Sequence, residues 1–119
     1  MERAYQVELA HVGLTIGDED QARKTADQLA DLFGLQVRTG SKSYFAGGMF
    51  ECVRIPFRGT KGHIALRVTD LAALLDDLKK KGVALDIDST TEYDDQGNIV
   101  NVYLHDEIEG FSIHLMQKK

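Results

Sequence analysis

The chain has 119 residues, 43% hydrophobic and 28% charged, enough for one globular domain with a buried core. A net charge of -5, with no cationic run beyond Lys79-Lys80-Lys81, argues against a nucleic-acid partner or an anionic membrane surface. The single cysteine, Cys52, excludes an intrachain disulfide. With the polar start Met1 to Gln6 and no apolar run of spanning length, it points to a soluble protein of the reducing cytoplasm.

Val7 to Ile16 reads as a strand in which Val12, Leu14 and Ile16 point one way and His11, Gly13 and Thr15 the other. Asp18 then caps a helix, with Gln21 placed to complete a capping box, and the helix runs to about Phe33. Its apolar positions are Ala22, Ala26, Leu29, Ala30 and Phe33, and Gly34 supplies the left-handed end. Gln36 to Arg38, Ser43 to Ala46 and Met49 to Phe57 read as three further strands. In the last of them Glu51 is the only acid and lies opposite in parity to Cys52, so Cys52 reads as a core thiol.

Arg58 to Gly62 is a short polar link, and at His63 the pattern starts again. Ile64, Leu66 and Val68 alternate with His63, Ala65 and Arg67. Thr69-Asp70 then opens a helix with an apolar stripe at Leu71, Leu74, Leu75 and Leu78. The three lysines that end it complement the helix dipole before Gly82. Val83 to Ile87, Thr90 to Tyr93, Ile99 to His105 and Phe111 to Met116 are strand candidates, with a hairpin turn at Asp94 to Asn98 and a polar turn at Asp106 to Gly110.

The chain is therefore two copies of one unit, about 7–57 and about 63–116, each too small to bury a core alone. The expected fold class is α+β: paired βαβββ modules forming one curved mixed sheet with a cleft. Apolar sets pack under the helices and polar sets line the concave side. His11, Glu51, His63 and His114 all belong to the polar set and occupy the first and last strand of each unit. Three imidazoles and a carboxylate suit a divalent metal, Zn, Ni, Co, Mn or Fe, with further positions open to water or substrate. Arg67 shares parity with His63 and is a candidate for binding a substrate carboxylate or phosphate, as are Arg38, Lys42 and Arg54. Tyr103 and His105 share a face and border the cleft.

The stretches His11 to Ile16, His63 to Val68, and Asp106 to Leu115 resemble the vicinal oxygen chelate superfamily of glyoxalase I, bleomycin-resistance proteins and extradiol dioxygenases. The resemblance runs from about Glu8 to Met116. It implies His11, Glu51, His63 and His114 as ligands, with His114 standing where glyoxalase I typically has a catalytic glutamate. Tyr44 to Gly47, Gly59 to Ala65 and Tyr103 to Leu115 also resemble the glyoxalase-like domain attached to some keto-deoxy-phosphogluconate/hydroxy-oxoglutarate aldolases.

Three functions are consistent with this reading. The first is a metal-dependent lyase or isomerase acting on a small 2-oxo or vicinally oxygenated metabolite, with Glu51 or His114 as catalytic base and His105 as an outside alternative. The second is a non-catalytic module that binds a small molecule, in the manner of resistance proteins or in partnership with an aldolase. The third is an iron-dependent ring-cleaving dioxygenase using His11, His63 and Glu51. The fold often dimerises, so a homodimer is expected.

Overall fold

The computed structural model describes residues 4–119. The polar reading of Met1-Glu2-Arg3 lies outside the described residues. Alternating apolar residues form β1 (Val7–Thr15), which leads into α1 (Glu19–Phe33). β2 (Val37–Thr39), β3 (Ser43–Ala46) and β4 (Phe50–Val53) complete the first module. The second contains β5 (Gly62–Val68), α2 (Leu71–Lys80), β6 (Leu85–Asp86), β7 (Glu92–Tyr93), β8 (Ile99–Leu104) and β9 (Phe111–Gln117). The sheet order is β2-β3-β4-β1-β5-β9-β8-β6, with β7 paired to β8 off this path.

The order repeats about the β1–β5 seam. In each module the last strand returns parallel to the first, β4 beside β1 and β9 beside β5, while β1 and β5 run antiparallel. This is the expected α+β pair of βαβββ modules in one mixed sheet. The second module departs from four strands by adding the short β7, which pairs with β8 through the Asp94–Asn98 turn.

Both helices start where the sequence places their caps. Asp18 accepts from the Gln21 backbone N–H and Asp70 from that of Ala73. The capping box at Asp18 is only half made, because the Gln21 side chain turns along the helix to Thr25. α1 buries Ala22 and Ala26 with Tyr44 and Cys52, joined by Leu14, Leu29 and Val37. Phe33, expected on that face, is 63% exposed. It closes the last turn before Gly34, whose φ of 68° turns the chain, so that Leu35 and Val37 continue toward the sheet. α2 lays Leu71, Leu74, Leu75 and Leu78 against Val68, Val102, Ile113 and Leu115.

Three strands are shorter than their sequence pattern. β4 stops at Val53, because Pro56 has no N–H to offer a ladder and Arg54 bonds to the Lys42 carbonyl as the chain leaves the sheet. β6 and β7 shrink to two residues each, since Asp88, Thr90 and Thr91 bond among themselves in a local turn. The acidic turn after β8 anchors the link between modules. Its Glu107 accepts from both the backbone N–H and the hydroxyl of Thr60, which ties that link to the end of the sheet.

Leu71 is fully buried and Phe33 is largely exposed, so equal apolar deletions should differ sharply. Leu71→Ala should cost about 2–4 kcal/mol and lower the thermal midpoint by on the order of 10 °C, whereas Phe33→Ala should stay within about 0.5 kcal/mol. Thermal denaturation of the two variants checks this packing.

Candidate metal centre

The seam between modules positions the site. Along β1 and β5 the pairs are His11 with Ala65 and Gly13 with His63, so each histidine faces a small residue of the other module. Gly13 is also level with Glu51 on β4, and Ala65 with His114 on β9. Paired residues share a face of the sheet, so all four expected side chains emerge on the side away from the helices.

Reaching this face depends on a bulge. The register shifts between Leu9 and His11, leaving Ala10 as the extra residue. Leu9 thus stays level with Leu66, while His11 turns to the side of Ala65 and His63.

Gly13 gives the His63 ring its space. A Cβ at this position would lie 2.0 Å from Cε1 of that ring. His63 is only 1% exposed, with Phe57 edge-on to it at a centroid distance of 5.6 Å.

Three donors converge. His11 Nε2 is 3.3 Å from His63 Nε2 and 3.4 Å from Glu51 Oε1, and His63 Nε2 is 3.2 Å from the same carboxylate oxygen. Nitrogen and oxygen ligands about 2.0–2.1 Å from one tetrahedral ion stand roughly 3.3 Å apart, so these edges fit a shared cation. Hydrogen bonding satisfies the triangle less well, because two N–H groups aimed at Oε1 leave no proton for the edge between the nitrogens. The donor set therefore fits a divalent metal, which His11, Glu51 and His63 would hold.

Ser43 supports the carboxylate. Its hydroxyl is almost wholly buried and donates to Glu51 Oε2 at 2.7 Å. Burial alone would raise the Glu51 pKa, but hydrogen bonds from His11, His63 and Ser43 outweigh it and hold the carboxyl well below the usual carboxylate range.

His114 lies on the same face outside this triangle, its ring centroid 6.5 Å from that of His63. It stacks on Tyr103 at 4.3 Å, and its Nε2 bonds to Oδ1 of Asn101. The Asn101 amide nitrogen in turn donates to Glu92. A carboxylate can only accept, so the amide N–H group faces Glu92 and its oxygen faces the imidazole. His114 therefore carries its proton on Nε2, which leaves the lone pair on Nδ1. That atom is buried and has no protein partner among the described residues.

The remaining candidates are spread out. Tyr103 is buried; burial and then the Glu51 charge push its phenol up to about 12. Arg58 lies over the Tyr103 ring at 4.6 Å and bonds to Asp86 and Asp88. His105 is exposed and paired with Asp106 at 2.9 Å, which raises its pKa. Arg67 is exposed and pairs with Glu8 at 3.4 Å. Arg38 and Arg54 lie over Phe45 and Tyr44, and Lys42 lies over Phe57, the neighbour of His63. Cys52 is buried on the helix side, and burial followed by the Glu51 charge pushes its thiol up to about 11.

Ser43, Asn101, Phe57 and Arg58 are site neighbours beyond the sequence candidates. Ser43 was accessible to a register count, since the β3–β4 hairpin pairs it with Val53, two residues from Glu51. Asn101 was accessible to parity as well, two residues before Tyr103 on β8, whereas Phe57 and Arg58 reach the site along a loop path that carries no local pattern.

The paired βαβββ modules in one mixed sheet have the vicinal oxygen chelate fold, and similar solved structures agree in fold. The chain is similar to the solved structure of a hypothetical protein from Bacillus halodurans, with 17% identity, a TM-score of 0.60 and 96% of each chain covered. It is also similar to methylmalonyl-CoA epimerase from Mycobacterium tuberculosis, with 19% identity and a TM-score of 0.59, over 100% of this chain and 93% of that one. No protein-family model and no curated protein matches the chain. No helix among the described residues is long and apolar enough to cross a membrane.

Two outcomes follow from this geometry. Gly13→Ala should push the His63 ring off the shared point, costing on the order of 2 kcal/mol and lowering metal affinity by more than tenfold; melting and metal titration read both effects. The second concerns pH in metal-free protein. Burial, followed by the nearby His63 and His11, pushes the His114 imidazole down to about 4, below the roughly 6.5 of an unfolded chain. The unfolded state thus binds more protons in that window, and the contribution of His114, complete above about 6.5, is lost as pH falls toward 4. His114→Gln should flatten the slope of stability between these values, and an unchanged slope in denaturant titrations would count against this origin.

Proposed function

We propose that this protein is a divalent-metal-dependent lyase or isomerase acting on a small 2-oxo or vicinally oxygenated metabolite. The observation that carries the reading is the triangle of His11, His63 and Glu51 donors at single-ion spacing, beside a buried imidazole with a free nitrogen. When bound, the ion supplies positive charge that polarises a substrate carbonyl and stabilises the negative charge left when a carbon-bound proton departs.

The chain's own groups divide the remaining work. His11, His63 and Glu51 hold the ion, and Ser43 keeps Glu51 from rotating away. Glu51 is a poor proton acceptor, its pKa already depressed and one oxygen committed to Ser43. His114 is the alternative acceptor: burial keeps it neutral at physiological pH and Asn101 leaves the lone pair on Nδ1, a role that requires this buried atom to open toward the substrate. Phe57 and Tyr103 pack around the two imidazoles and exclude water.

The same triangle favours a second reading, because two histidines and one carboxylate with open positions are also the ligand set of non-haem iron oxygenases. Metal identity separates the two.

Elemental analysis of tag-free protein should find about one divalent metal per chain, lost in His63→Ala. The loaded protein should exchange the carbon-bound proton of 2-oxo or 2-hydroxy acids for deuterium, as followed by NMR in D2O. Iron with oxygen consumption on catechols would move the assignment to the oxygenase. Absence of metal, with no thermal shift on adding any of the five ions, would leave a binding module.

A further inference from the structure

A recess opens where β5 and β9 end. It has a volume of about 630 Å³, and its lining includes Arg67, Asn101, Met116, Lys118 and Lys119. Arg67, Met116 and Asn101 are register partners across β5, β9 and β8, so they continue the row of side chains that contains His63 and His114. Asn101 is shared, bonding to His114 on one side and lining the recess on the other.

The charge here runs against the whole chain. Net charge is -5, yet three cations line the recess against one carboxylate, Glu92, which is engaged by Asn101. Glu8, level with Arg67 on β1, lies 3.4 Å from the Arg67 guanidinium and 3.2 Å from Lys118 Nζ. A carboxylate of the chain thus already bridges two of these cations.

We infer that this recess is an anion subsite for a phosphate group carried by the substrate, with Arg67, Lys118 and Lys119 as its binding residues. A ligand that displaces Glu8 leaves three cations against Glu92, a balance that suits a doubly charged phosphate better than a single carboxylate, and a guanidinium matches phosphate oxygens in pairs. Val100 and Met116 give an apolar wall for the intervening carbon chain. Four strand steps separate His63 from Arg67, about 13 Å. The inference rests on the metal-dependent reading only in naming the ligand: a phosphorylated metabolite whose vicinal oxygens and phosphate are several carbons apart.

The test uses metal-free full-length protein, so that its failure and failure of the metal reading are distinguishable. Inorganic phosphate and acetate are titrated separately and followed by amide NMR shifts. Phosphate should produce saturable shifts confined to Arg67, Asn101 and Met116 to Lys119, and should bind at least tenfold tighter than acetate. Arg67→Gln should weaken phosphate at least tenfold without changing the melting point, while Glu8→Gln, which frees the two cations, should tighten it several-fold. The opposite signs separate binding from a folding defect. Shifts that do not saturate, acetate binding as tightly as phosphate, or indifference to both substitutions would overturn the subsite, whatever metal analysis finds.

Discussion

The antiparallel seam between β1 and β5 is the constraint on which the rest depends. It joins two modules that cannot bury a core separately, and its register decides which side chains meet. With His11 opposite Ala65 and His63 opposite Gly13, two imidazoles sit diagonally across the seam, each with a small residue below it. A one-residue slip of β1 against β5 would turn His11 to the helix side and leave His63 without it on the polar face. The Ala10 bulge is part of this constraint, because it brings His11 into phase with His63 while Leu9 remains in phase with Leu66.

Around that seam, polarity is buried on one face and apolar surface on the other. The helices cover the apolar face through two clusters, one under each module. The opposite face concentrates a nearly inaccessible imidazole, a buried serine and a depressed carboxyl. Burying such groups is costly unless they are partnered, and here Glu51 accepts from Ser43 through one oxygen while the other lies within 3.4 Å of both His11 and His63. The Nδ1 atoms of His63 and His114 are exceptions, buried without a partner among the described residues. Unsatisfied donors or acceptors of this kind concentrate where a protein binds something else.

The two modules have diverged in a chemically coherent way. Glu51 and His114 occupy equivalent register positions, level with Gly13 and Ala65, yet their environments differ. Glu51 is drawn into the triangle by Ser43 and the two histidines. His114 is held aside by Asn101, itself oriented by Glu92 on the extra strand β7. The added strand of the second module therefore sets the tautomer of its equivalent residue.

Much of this was legible in one dimension. Period-two alternation in His11 to Ile16, His63 to Val68 and Phe111 to Met116 assigned the faces, and the caps at Asp18 and Asp70 with the leucine stripe of α2 located the helices. These signals are local, being set by backbone geometry within a few residues, and their repetition implied the paired modules and the shared face of four polar residues. Tertiary structure alone decided the bulge at Ala10, the truncation of β4, the exposure of Phe33, and the choice of Ser43 and Asn101 as partners. It also decided that the His114 ring stands apart from the other three. A side chain's rotamer and hydrogen bonds are settled by neighbours distant in sequence, so parity along a strand can assign a residue to a face but cannot say which atom it offers, or to what.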